Sequence, residues 1–169
     1  MSTMRGRSLR LLQERYLAYV LAGNRDGAQR LVRRLRHDEI SVTTLVEGIL
    51  RTAQQEVGLS WQKGTLTVAD EHAASAITEV ALTVATIGAP IGGRGPVYVA
   101  CAEGEWHTLP ARMLGELLRV HGWHVVSLGA SVPADQLAAY LRRRRMLACW
   151  SVPAHRSRCP ARAGWPRPP

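Results

Sequence analysis

Two short clusters hold most of the side chains in this chain that could do chemistry. Trp61 is followed, after nine residues, by the pair Glu71 and His72; Glu105, Trp106 and His107 come later. Imidazole is the commonest protein ligand for a transition metal, and a carboxylate two residues away can fix its tautomer. An aromatic plate, carboxylates and two imidazoles together suit a grip on a flat metal macrocycle from both faces. Taken singly, each residue has a plainer reading. Trp61 would plug the end of a helical bundle, Glu71 would complement a helix dipole, and His72 would be a half-buried imidazole. His107 alone would be a helix-start or surface residue. Only their joint spacing argues for a site.

The elements that must position these groups fall into two halves. Apolar residues at helical spacing predict four helices within 8–90, a bundle joined by short links. The first starts near a capping Ser8, carries Leu9, Leu12, Tyr16, Leu17, Val20 and Leu21, and closes at Gly23-Asn24. The second, about 26–37, turns Ala28, Leu31, Val32 and Leu35 inward. The third runs from Ser41 to Leu59, with Leu45, Ile49, Leu50, Ala53 and Val57 inside. Thr67, with Asp70 three residues on, predicts a capped start for the fourth, which ends near Gly88. Trp61 falls in the turn before that helix, and Glu71 and His72 in its first turn, so one bundle end presents all three.

Residues 88–96 read as a Gly/Pro linker. Beyond it the pattern becomes β-α-β-α: a strand over 97–101, a helix over 108–121, a strand over 123–128, and a helix opened by Pro133 and reaching about Arg145. Met146 to Ser151 is a candidate third strand. The expected class is α + α/β, a four-helix bundle over 8–90 followed by a partial Rossmann-like parallel sheet over 96–151. Residues 152–169 read as an Arg/Pro-rich disordered tail. The abrupt change of composition suggests a sheet domain cut short, through a reading-frame change near Met146.

Charge and cysteine content narrow the classes. The net charge of +9 would suggest nucleic acid, but eight of the arginines and no acidic residue lie after Leu141. The body is nearly neutral, so direct nucleic-acid binding is not expected. Three cysteines without a CxxC pair suit a reducing compartment, with Cys101 as a buried small hydrophobe. No secretory signal is evident, and the longest uncharged run, 80–93, is too short to cross a bilayer. A cytoplasmic location without membrane contact is expected.

The spacing resembles the cobalamin-binding module built from a four-helix cap and a Rossmann-like B12 domain. It is most similar to adenosylcobalamin-dependent photoreceptor regulators of the CarH type and their stand-alone relatives. The residues that carry the resemblance are Val57-Gly58-x-x-Trp61-x-x-Gly64, Val68-Ala69-Asp70-Glu71-His72, Glu105-x-His107 and Leu128-Gly129-Ala130-x-Val132-Pro133, within about 40–150. The resemblance implies His107 as the lower axial ligand of cobalt, with Glu105 on its far nitrogen. It implies Trp61, Glu71 and His72 on the upper face, and Gly129 beside the nucleotide tail. Three departures accompany it. Pro110 stands where the family's E-x-H-x-x-G has its glycine. Gln62 stands where the photoreceptors carry a histidine that takes cobalt after illumination, which weakens any expectation of a bis-histidine light switch. The family's later Ser/Thr and Gly-Gly loops have no counterpart beyond Ser151.

The resulting expectation is a cobalamin-binding sensory or carrier module with no complete catalytic apparatus of its own. Adenosylcobalamin is the favoured cofactor and methylcobalamin the second candidate. Expected partners are the corrinoid itself and either a second copy of the chain or a separate regulator or methyltransferase. The rival reading is a cofactor-free helical interaction or regulatory protein with a vestigial sheet and a basic tail.

Overall fold

The computed structural model describes residues 2–89, 92–144 and 148–152, residues 2–7 and 148–152 by backbone alone. Four helical stretches come first: α1 (Ser2–Leu21), α2 (Arg25–His37), a π-helical segment Thr44–Leu50 running on into α3 (Arg51–Gln62), and α4 (Val68–Thr86). Strands and helices then alternate as β1 (Arg94–Ala102), α5 (Leu109–Val120), β2 (Trp123–Val132), α6 (Ala134–Arg142) and β3 (Ala148–Val152).

Local chemistry sets most of these limits. Asn24 Oδ1 accepts from the Gly27 amide at 2.8 Å and caps α2. Thr67 and Asp70 form the reciprocal box expected for α4: the Asp70 amide donates to Thr67 Oγ1 at 3.2 Å and the Thr67 amide to Asp70 Oδ2 at 2.8 Å. The hydroxyl of Thr67 also donates to that carboxylate and holds the Asp70 pKa below its usual value. Ser8 is not a cap. α1 begins six residues earlier, so Ser8 lies inside the helix.

The apolar stripes of the first four helices meet in one core around Tyr16, Leu45, Ile49, Leu50 and Leu82, each 0 or 1% exposed. The π-helical winding was not expected. It loosens the ladder, and the Gln13 side chain donates to the Gly48 carbonyl there at 2.6 Å. Every position expected inside the third helix is buried, and Val46 joins them.

β2, β1 and β3 form a parallel sheet in the order β2-β1-β3. The candidate third strand therefore exists and pairs with β1 from Val97–Ala148 to Cys101–Val152. β1 is buried from Val97 to Cys101, with Cys101 a free, fully buried thiol whose pKa burial pushes up. β2 runs past its expected end at Leu128. Its register against β1 slips between Val99 and Ala100, where Gly129 takes φ +83. A left-handed residue of this kind is inexpensive only for glycine, and the resulting bulge turns the strand end toward the loop after β1.

α5 joins the halves. Leu109 and Met113 sit in the bundle core, with Leu117 and Val120 against it, while Ala111, Leu114 and Leu118 pack on the sheet with Val97 and Val99. The apolar positions of this helix thus form two adjoining faces with different partners. Arg119 adds a polar tie, donating to the carbonyls of Thr86 at 2.9 Å and Ala89 at 3.2 Å, and Arg112 pairs with Glu79 of α4 at 3.1 Å. The Arg/Pro-rich tail, from residue 153 on, and the linker residues 90–91 lie outside the described residues. Among the described residues, no helix is long and apolar enough to cross a membrane.

Candidate functional site

Between bundle and sheet opens a cleft of about 810 Å³, walled by α3 and α4 on one side and by the start of α5 on the other. Its sheet-side wall is built at the carboxyl end of β1, where parallel sheets place their ligands. The Glu105 amide donates to the Ala102 carbonyl at 2.9 Å, which turns the chain sharply after β1. Two bonds from the end of β2 hold this loop: Ser131 N donates to the Glu105 carbonyl at 2.9 Å, and the Gly104 amide donates to Ser131 Oγ at 3.1 Å. Glu105 is in consequence only 7% exposed.

That buried carboxylate clamps His107. Glu105 Oε1 accepts from the His107 amide at 2.7 Å and lies 2.7 Å from its Nδ1. A carboxylate is an acceptor, so in the neutral ring Nδ1 carries the proton and Nε2 keeps its lone pair. The His107 side chain is 68% exposed and lines the cleft. An oriented, open imidazole nitrogen backed by a buried carboxylate could serve as a metal ligand. Among the described residues, no three His, Cys, Asp or Glu side chains come together as a metal site. One imidazole suits a metal that arrives with its other ligands already in place. Pro110, the departure at the family glycine, sits in the first turn of α5 and lines the same wall.

The bundle-side wall carries Glu71 and His72. Glu71, its side chain 17% exposed, accepts from Ser75 Oγ at 2.7 Å through Oε1, and its Oε2 lies 3.6 Å from His72 Nε2. The structure therefore brings Glu71, His72 and His107 onto one cleft with Glu105 directly behind His107.

Trp61 and Gly129 are not among the lining residues. Trp61 is in the last turn of α3 rather than in the turn after it, and its indole is 42% exposed. It continues the stripe of Glu47, Arg51 and Gln54, which do line the cleft, and stands two turns beyond Gln54. Gly58, between them, has open space where a side chain would be. Gly129 stands at the sheet bulge. Sequence reasoning gave no role to Arg51, Gln54 and Ser75 of the bundle wall, nor to Trp106, which is 71% exposed at the cleft. The stripe 47-51-54-61 was a readable signal, because it is the polar continuation of a helix whose other face is core.

The chain is thus a helical cap above the carboxyl edge of a Rossmann-like parallel sheet, with the clamped His107 on the cleft between them. Residues 12–86 match the family model described as B12 binding domain. The chain is 38% identical over 84 residues to the HTH-type transcriptional repressor CarH of Myxococcus xanthus; the match takes in 48% of this chain and 27% of that protein. The chain thus spans roughly a quarter of that relative's length. Its fold is similar to that of the monomethylamine corrinoid protein of Methanosarcina barkeri, with a TM-score of 0.73 at 15% identity over 85% of this chain and 69% of the other. The methanol:cobalamin methyltransferase complex MtaBC of the same organism gives a TM-score of 0.47 at 17% identity, over 86% and 57% of the two chains.

Proposed function

We propose that the protein binds cobalamin in this cleft, with His107 Nε2 as the lower ligand of cobalt and the bundle as a cap over the upper face. The observation that carries this reading is the Glu105–His107 clamp at the cleft mouth, opposite Glu71 and His72. Glu105 orients the ring and strengthens its donor nitrogen. Leu109, Met113, Leu114 and Leu117 of α5 give the cleft an apolar floor that would exclude water from one side of a bound macrocycle. Glu71 and His72 supply hydrogen-bonding groups to whatever the cobalt carries above. When bound, the corrinoid supplies organometallic chemistry at cobalt; this chain sets its ligation and access.

Likeness to a transcriptional repressor favours a sensory role, and the motif resemblance in the sequence keeps adenosylcobalamin as the favoured form. A carrier role with methylcobalamin, serving a separate methyltransferase, is the second reading. It draws on the polar, open mouth of the cleft, through which a partner could reach the upper ligand. In either role, the roof contributed by Trp61 requires that its end of α3 close over the cleft.

Purified protein titrated in the dark with hydroxocobalamin, adenosylcobalamin or methylcobalamin should co-elute with pigment and shift its visible spectrum to the base-off, histidine-on form. His107→Ala should lose that spectrum while keeping its helical circular dichroism. A wild-type protein that stays colourless in all three titrations would overturn the proposal and favour the cofactor-free interaction protein.

A further inference from the structure

A chain of hydrogen bonds leads from the middle of the bundle to the cleft wall. Tyr16 Oη donates to Thr78 Oγ1 at 3.1 Å, and Gln54 Nε2 donates to the same oxygen at 2.7 Å and to the Ala74 carbonyl at 3.1 Å. Both amide protons of Gln54 are thereby used inside the bundle. The amide cannot turn over, because the reversed group would set its oxygen against the Ala74 carbonyl. Gln54 Oε1 is consequently fixed toward Ser75, whose Oγ lies 3.3 Å from it and 2.7 Å from Glu71 Oε1. The single proton of Ser75 goes to the shorter contact, the carboxylate.

We infer that Ser75 is a positioning residue that holds the Glu71 carboxylate at the cleft and so sets which upper ligand the cap accepts. Glutamate has three side-chain torsions, and fixing them before binding removes part of the ordering cost. A carboxylate held in place accepts hydrogen bonds only from donors presented at one point. A sugar-bearing upper ligand offers hydroxyl donors, whereas a methyl group offers none. Ser75 also lines the cleft itself, so the device lies at the surface where discrimination occurs. The inference rests on the corrinoid reading given above, and it adds the basis of selectivity for that same site.

The test uses the full chain and Ser75→Ala, which keeps the helix and leaves the Gln54 contacts to Thr78 and Ala74 in place. Adenosylcobalamin should bind about tenfold more weakly to Ser75→Ala, as expected for loss of a charge-assisted hydrogen bond. Methylcobalamin affinity and the urea midpoint should not change. Ser75→Thr should restore the preference, and adding Ser75→Ala to Glu71→Gln should cost nothing further. Equal weakening of both forms, with a lower urea midpoint, would reduce Ser75 to a structural residue and overturn the inference. A crystal structure of ligand-free Ser75→Ala provides a readout independent of any cofactor: the Glu71 carboxylate should leave its wild-type position. If it stays, the inference falls even where cobalamin binds. If it moves but no corrinoid binds, the selectivity claim falls together with the corrinoid reading, and only the positioning contact stands.

Discussion

Tyr16 makes the stability of the bundle depend on pH in an unusual range. Its ring is 0% exposed, its hydroxyl donates to Thr78, and burial pushes its pKa from 10.0 up to about 12 against the opposing pull of that bond. The folded state therefore holds the phenol proton more tightly than the unfolded chain does. The associated stability is whole below pH 10 and drains away as pH rises toward 12. Two pKa units correspond to about 3 kcal/mol in total, of which roughly 2.3 kcal/mol is gone at pH 12. Tyr16→Phe removes the titration. It also removes one hydrogen bond, but Thr78 Oγ1 keeps its bond from Gln54, so the neutral-pH cost is only about 1 kcal/mol. The two stability curves should then cross near about pH 11, with wild type ahead below and Tyr16→Phe ahead above. Urea unfolding followed by far-ultraviolet circular dichroism at pH 8, 10, 11 and 12 would show it. Differencing the two proteins cancels every other titrating group. Parallel curves with no crossing would refute the claim that a buried, protonated Tyr16 stabilises this fold.

Three further outcomes follow from the packing. Arg119→Ala strips donors from the carbonyls of Thr86, 4% exposed, and Ala89, and should lower unfolding stability by about 1–3 kcal/mol in a urea titration. Glu105→Ala frees the His107 ring and should weaken hydroxocobalamin binding by about 10–100-fold in a spectroscopic titration. A Cβ at Gly92 would run into the Gly122 backbone, whereas one at Gly93 meets nothing within 4 Å. Gly92→Ala should cost about 1–3 kcal/mol by thermal unfolding; Gly93→Ala should cost nothing.

The bundle was legible because each of its helices presents a single face to a single core, so period 3.6 appears directly in the sequence. Thr67 with Asp70 announced the start of α4 for the same local reason. α5 was legible as a helix but not in its packing. Met113, Leu114, Leu117 and Leu118 form one apolar band in sequence, and only the fold divides it, Met113 and Leu117 to the bundle and Leu114 and Leu118 to the sheet. The π-helical turn has no such signature. A one-residue shift in hydrogen bonding, confined to seven residues, leaves the apolar spacing nearly intact, and its support from Gln13 comes from 35 residues away. Similarly, Ser75 is an unremarkable polar residue until Glu71 is seen beside it.

The site was half legible for a related reason. Glu105 and His107 are two residues apart, and a clamp between near neighbours can be read from spacing alone. Trp61 and Glu71 are ten apart across a turn, so their relation depends on where α3 stops. α3 extends through Gln62, and this carries the indole two turns past the cleft wall. His107 is fixed from both sides: Leu109, two residues on, is 7% exposed in the bundle core, while Glu105, two residues back, is tied to the end of β2 through Ser131. Any change in the separation of bundle and sheet must therefore pull on the short stretch that holds the imidazole. A ligand that bridges the two walls would therefore load that ring first.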